Sequence, residues 1–200
     1  MTFTRRDLLA LAPALVISAC SSEPVKKPEP EKAAEPVTGL HALFQMRALA
    51  VNWAPDFQIL HYTSIELADV KRVPGKAAAW QAVFVSPSLK QSRTYTFSVF
   101  EESVTMHKGL FPESPQAWSG EGKTFGIESA RVDTDKAWEV ALAHGKEFAA
   151  KNPDMPILYT LGFDKGEEPD WRVMWGTSAA TSQFSVLVNA VSGEFIQVVK

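Results

Sequence analysis

The sequence predicts an α+β protein made of two tandem αβββ units, with the helices packed on one face of antiparallel sheet. Three observations predict it. Apolar stripes at helical spacing occur twice, over 39–52 and 133–150, and strand-like runs with mostly apolar alternate residues follow each stripe. Both helical stretches end at a Pro-Asp step, Pro55-Asp56 and Pro153-Asp154. A tryptophan opens the second strand of each set, Trp80 and Trp171. Self-similarity of this kind marks a duplicated unit. An antiparallel meander with one apolar face under a helix is an α+β arrangement.

The first unit is expected over 39–115. Leu40, Leu43, Phe44, Met46 and Ala50 form its helical stripe, and Phe57–Tyr62 is the first strand. A polar loop leads to Trp80, Ala82 and Phe84, then a turn to Tyr95, Phe97 and Val99. A closing strand is expected near Val104–Leu110. The stretch Phe111–Gly126 holds Pro112, Pro115, Gly120 and Gly122 and reads as a connecting loop. Phe125–Ala130 is a candidate short strand. The second unit is expected over 116–200. Asp133 or Thr134 caps a helix carrying Trp138, Ala141, Leu142 and Phe148. Strands follow at Met155–Thr160, Trp171–Trp175, Phe184–Val188 and Phe195–Val199.

Ahead of these units lies a different kind of sequence. Thr4-Arg5-Arg6-Asp7 is followed by an apolar run from Leu8 to Ile17, then Ser18, Ala19 and Cys20. The run is too short to span a bilayer, and the order of parts is that of a signal peptide over 1–19. Val16-Ile17-Ser18-Ala19-Cys20 resembles the lipobox of bacterial lipoproteins. That resemblance implies lipidation of Cys20, cleavage before it, and a membrane partner reached through the lipid anchor. Cys20 is the only cysteine in the chain. Arg5 and Arg6 are similar to the twin-arginine export motif, although Leu8 stands where Phe is common; ordinary secretion is the alternative. Ser21 after the cysteine points to the outer membrane, facing the periplasm. Residues 20–38 are rich in Pro, Glu and Lys and read as a disordered tether.

Composition narrows the function. Removing residues 1–19 leaves 18 basic and 22 acidic side chains, a formal net charge of −4. Without a basic stripe, nucleic acid is not an expected partner. With Cys20 lipidated no disulfide can form, so a packed core must hold the fold, and roughly 160 folded residues suffice for one.

The second unit carries a family resemblance. Asp133-Thr-Asp-Lys-Ala137, Trp171-Arg-Val173 and Val188-Asn-Ala-Val-Ser-Gly-Glu-Phe195 resemble the PepSY domain pattern, with Asn189 where an aspartate is typical. In tandem plan the chain also resembles the β-lactamase inhibitory proteins. The resemblance implies a periplasmic binding or inhibitory module and brings no catalytic residues.

The residues offer little chemistry of their own. His41, His61, His107 and His144 are scattered without metal-ligand spacing, so neither a metal nor a cofactor is expected. Asp164–Asp170 lacks the ligand pattern of a calcium loop and reads as a solvated acidic turn. Ser86, Ser88, Ser92, Ser178 and Ser182 sit at hairpin tips. Trp118 is read as a plug between the units or as an exposed contact. The sheet face away from the helices should carry Val83 and Val85 in one unit and Arg172, Met174 and Leu187 in the other. With Trp118, these are the candidate binding residues. The leading expectation is a non-catalytic envelope lipoprotein that binds or inhibits a protein or envelope polymer. The alternative is an envelope hydrolase or small-ligand enzyme using a cystatin-like pocket between helix and sheet.

Overall fold

Alternating apolar side chains let each helix cover one face of its own meander, and the two meanders join edge to edge. The structure, a computed structural model, describes residues 34–101 and 106–199. Helix α1 spans Gly39–Trp53. Strands β1 (Gln58–Ile65), β2 (Ala79–Ser86), β3 (Gln91–Ser98), β4 (Gly109–Pro112) and β5 (Gln116–Ala117) follow. Helix α2 is Thr134–Lys151, capped by Asp133. Strands β6 (Ile157–Gly162), β7 (Asp170–Trp175), β8 (Phe184–Asn189) and β9 (Phe195–Val199) complete the second set. All nine strands form one antiparallel sheet in the order β4-β3-β2-β1-β6-β7-β8-β9, with β5 pairing β3. The fold is therefore α+β, with two helices on a nine-stranded sheet in two helix-then-strands units.

The seam between the units is β1 against β6. Thr63 stands opposite Thr160, and Tyr62 opposite Leu161. Those pairings place a pseudo-two-fold axis at the seam, and the aromatic core follows it. Trp80 and Trp171, each second in its strand, are fully buried and meet edge to face at 6.3 Å. Tyr62 stacks on Trp80 at 5.2 Å, and Tyr159 packs beside Trp80 at 6.1 Å. The two indoles also bond alike. Trp80 Nε1 donates to the Val37 carbonyl at 3.2 Å, and Trp171 Nε1 to the Val132 carbonyl at 2.7 Å. Each acceptor lies two residues ahead of its helix.

Helix starts are shared across the same axis. Gly39 N–H donates to Thr134 Oγ1 at 2.8 Å, and Leu40 N–H donates to Asp133 Oδ1 at 2.8 Å. Thr134 and the α2 N-cap Asp133 thus cap α1, whose own Thr38 makes no side-chain cap. A Cβ on Gly39 would lie 2.8 Å from both the Thr134 methyl and the Trp171 ring, so this position has no room for a side chain.

Several expectations change. The tether was expected through residue 38, yet Val37 pairs with Ala77 and its carbonyl receives the Trp80 indole. Of the closing strand expected near 104–110, residues 102–105 lie outside the described residues, and the strand present is Gly109–Pro112. Proline suits that place, because β4 is a sheet edge where a missing N–H costs little. The expected strand at 125–130 is one bridge, Phe125 with Ile59, followed by a 3₁₀ turn over Ile127–Ser129. Phe125 occupies the stretch of β1 beyond its pairing with β6, beside the register shift between Ile59 and His61.

Candidate functional site

The two units are not equally closed, and the difference makes a hollow. The connection between β1 and β2 runs from Glu66 to Ala78; the matching one between β6 and β7 runs only from Phe163 to Pro169. The longer loop folds onto α2. Its Leu67 and Val70 are buried against Ala78 and Ala79. Its tip is fixed by two bonds: Gly75 N–H donates to Tyr159 Oη at 2.8 Å, and Thr134 Oγ1 donates to the Gly75 carbonyl at 2.6 Å. Gly75 has φ +75°, and a Cβ there would sit 2.4 Å from Asp135 Cα. Only glycine lets the loop approach the start of α2 this closely.

Between this loop and α2 lies a hollow of about 310 Å³. Trp138 and Ala149 line it from α2, Met155, Ile157 and Tyr159 from the strand side, and Val70, Val73 and Ala77 from the loop. Trp175 closes one wall with its ring 5.4 Å from that of Trp138. Polar groups gather at the mouth. Arg72 forms an ion pair with Glu66 and donates to the Asp154 carbonyl at 2.8 Å, tying the loop to the turn after α2. Lys71 and Lys76 are exposed beside it.

The polar groups inside are already engaged. Ser64 Oγ accepts from Tyr159 N–H at 2.9 Å. Tyr159 Oη accepts from Gly75, and burial pushes its phenol well above the ordinary range. Such a hydroxyl keeps its proton near neutral pH. The hollow can hold an apolar group; its walls present no nucleophile beside a base.

A second, more open hollow of about 680 Å³ lies on the opposite face of the sheet and shares Ser64, Glu66 and Arg72 with the first. His61, Leu158, Thr160 and Met174 line it, with Thr177 to Ala179 of the β7–β8 hairpin.

The sheet face away from the helices carries the expected side chains, but it is unevenly accessible. In unit one Gln81, Val83, Thr94 and Thr96 are half-buried and Phe111 is exposed. Val85, Met174 and Leu187 are buried, which corrects their expected place on an accessible surface. The register supplies a reason at Leu187, which stands between Arg172 and Gln197 on its neighbouring strands. Arg172 reaches over to Ser185 Oγ at 3.3 Å and to Asp164 at 3.3 Å, and Lys165 bonds Gln197 at 2.6 Å. The β7–β8 hairpin curls back beside Met174, and Ser182 Oγ meets Ser185 Oγ at 3.2 Å. Val85 pairs with Gln58 and Ser92. Trp118 is half-buried and donates its Nε1–H to the Glu121 carbonyl at 3.0 Å. Arg5, Arg6 and Cys20 lie outside the described residues.

The acidic turn also differs from expectation. Asp164 to Glu168 are exposed, but Asp170 is fully buried at the start of β7. Its Oδ2 accepts from the backbone N–H groups of Asp164 and Lys165, both at 3.1 Å. Its Oδ1 has no partner among the described residues. Burial raises its pKa to about 6, against the pull of those N–H groups and of Arg172. Among the described residues no group of three His, Cys, Asp or Glu could hold a metal ion. No helix among them is long and apolar enough to cross a membrane.

The first hollow was not legible as a site because residues 66–78 read as a polar loop. Leu67, Val70, Val73 and Ala77 give that loop more apolar residues than a solvated turn needs. Its excess length over 163–169 was a second signal.

No protein-family model matches the chain, that of PepSY domains included, and no curated protein matches it. Among solved structures it is similar to a candidate lipoprotein of Clostridium difficile 630. The TM-score is 0.44 at 10% identity, over 85% of this chain and 95% of that one. A likeness this loose says nothing about activity.

Proposed function

We propose that this chain is an envelope lipoprotein, held by lipidated Cys20, that binds its partner without transforming it. The partner is a protein or envelope polymer that inserts an apolar side chain or acyl chain into the hollow between α2 and the 66–78 loop. One observation carries this reading: the hollow is walled by Trp138, Trp175, Ile157, Met155 and Val70, while its charged groups stay at the mouth. Apolar walls with a few polar groups at the opening suit binding. An enzyme in the same place would need converging acid and base groups.

The test uses residues 20–200 with Cys20→Ser, titrated with a dansyl fatty acid as the probe. Saturable enhancement of dansyl emission is expected for this chain. Ala149→Phe, which fills the hollow from α2, should weaken it at least about tenfold while the circular dichroism spectrum stays the same. Equal binding by a folded Ala149→Phe chain, or no saturable binding at all, overturns the proposal.

A further inference from the structure

We propose that the outward face of α1 lies in the lipid headgroup region of the membrane that holds the anchor. The two helices occupy matching places in the two units, so the fold asks the same of both. Their outer faces differ all the same. Helix α2 carries six charged side chains, from Asp135 to Lys151, whereas α1 carries only Arg47. The crest of α1 is Phe44, Ala48 and Val51, one stripe at i, i+4 and i+7. Phe44 is 53% exposed and Val51 41% exposed. Leu49, 39% exposed, lies at the border of that face. His41, Gln45 and Asn52 flank the crest without charge, and Arg47 adds one positive group.

Core packing does not use this stripe, since Ala42, Leu43, Met46 and Ala50 fill the side toward the sheet. An apolar crest flanked by uncharged groups and one cation can enter the headgroup region without burying a carboxylate. Sequence position selects lipid over a protein as the occupant. Helix α1 is the first helix among the described residues, and 18 residues separate it from Cys20. Val37 is already paired with Ala77, so a Pro-rich tether over 21–36 would span at most about 50 Å, which confines α1 to the neighbourhood of the bilayer. At such effective concentration a contact too weak to recruit a free protein is still occupied. Within that reach, and with the crest apolar, the membrane is the surface that α1 meets most often.

This inference rests on the Cys20 anchor, and its test separates the two. Acylated chain with Phe44→Cys has one free thiol, because Cys20 is the only native cysteine. That thiol is labelled with NBD, and the protein is placed in phosphatidylethanolamine–phosphatidylglycerol vesicles. A second chain carries the label at Lys146→Cys on α2. The expected result is blue-shifted emission at position 44 that doxyl lipids quench, and aqueous, unquenched emission at 146. Aqueous emission at 44 from a chain that floats with the vesicles overturns this inference and leaves the anchor standing. A chain that does not float overturns the anchor, and this inference with it. Emission at 44 that shifts only when periplasmic extract is added assigns the crest to a protein, which also overturns it.

Discussion

At the scale of single residues, Asp170 sets a pH dependence. Its carboxyl is buried with one oxygen unpartnered among the described residues, and its pKa rises to about 6 from the usual 3.8. The folded chain therefore keeps a proton that the unfolded chain has lost over that interval. A group shifted upward adds stability below its unfolded pKa and loses it as pH rises toward the folded value. The loss runs at about 1.4 kcal/mol per pH unit and ends above the folded pKa. Asp56 and Glu101 act in the opposite sense. Hydrogen bonds from Ser86 and Ser88 hold the first below its usual range, and those from Lys108 and His107 hold the second, so they lose stability as pH falls. Only the difference between variants isolates Asp170. Asp170→Asn can still accept both backbone N–H bonds, so its stability relative to the native chain should rise between pH 4 and pH 7. Urea denaturation across that interval measures the difference. Parallel stability curves for the two chains would show that the buried carboxyl does not hold its proton. The sequence placed Asp170 in a solvated turn because nothing local marks it as buried. Its burial comes from pairing with Gly162 on one side and Asn189 on the other.

At the scale of elements, each helix was legible, and the way their ends meet was not. Stripes at helical spacing located α1 and α2 to within a residue or so, and Asp133 was readable as a cap because Asp is a common N-cap ahead of an apolar run. The second bond from Asp133, to Leu40 N–H, joins residues 93 apart, and no local pattern encodes it. One carboxylate oxygen thus accepts from both helix starts, at 2.8 Å and 2.7 Å. Both helix N-termini carry partial positive charge, so a carboxylate between them offsets their mutual repulsion. Losing an N-cap costs about 1 kcal/mol, and here two are lost together. Asp133→Ala should therefore destabilise the chain by about 2 kcal/mol, and Asp133→Asn, which keeps an acceptor, by less. Chemical denaturation of both variants checks the order. An alanine variant as stable as the native chain would mean that water satisfies these N–H groups and the shared cap contributes nothing.

At the scale of the whole molecule, the repeated order of helix and strands was readable from tryptophan placement and periodicity. That the two meanders fuse into one sheet was not, because the β1–β6 seam depends on pairings such as Thr63 with Thr160 that no spacing reveals. The hollow was hidden for a related reason: it exists where the units depart from symmetry, and a repeat argument emphasises what they share. The seam also bears on the proposed export route. Gly39 meets Thr134, 95 residues away, and β1 cannot pair with β6 until the second unit has been made. Non-local pairings of this kind fold slowly and expose unpaired strand edges meanwhile. Folding before translocation avoids carrying that slow step into the envelope, and Arg5-Arg6 is similar to the signal of a route that moves folded chains. On that route, Arg5→Lys with Arg6→Lys should leave a full-length precursor in the cytoplasm with a protease-resistant core. Cys20→Ala should export but remain uncleaved or leave the membrane fraction. Pulse labelling and fractionation separate the two. A double-lysine chain that matures at the native rate would place export on the general secretory route, with the seam forming only after the chain has crossed.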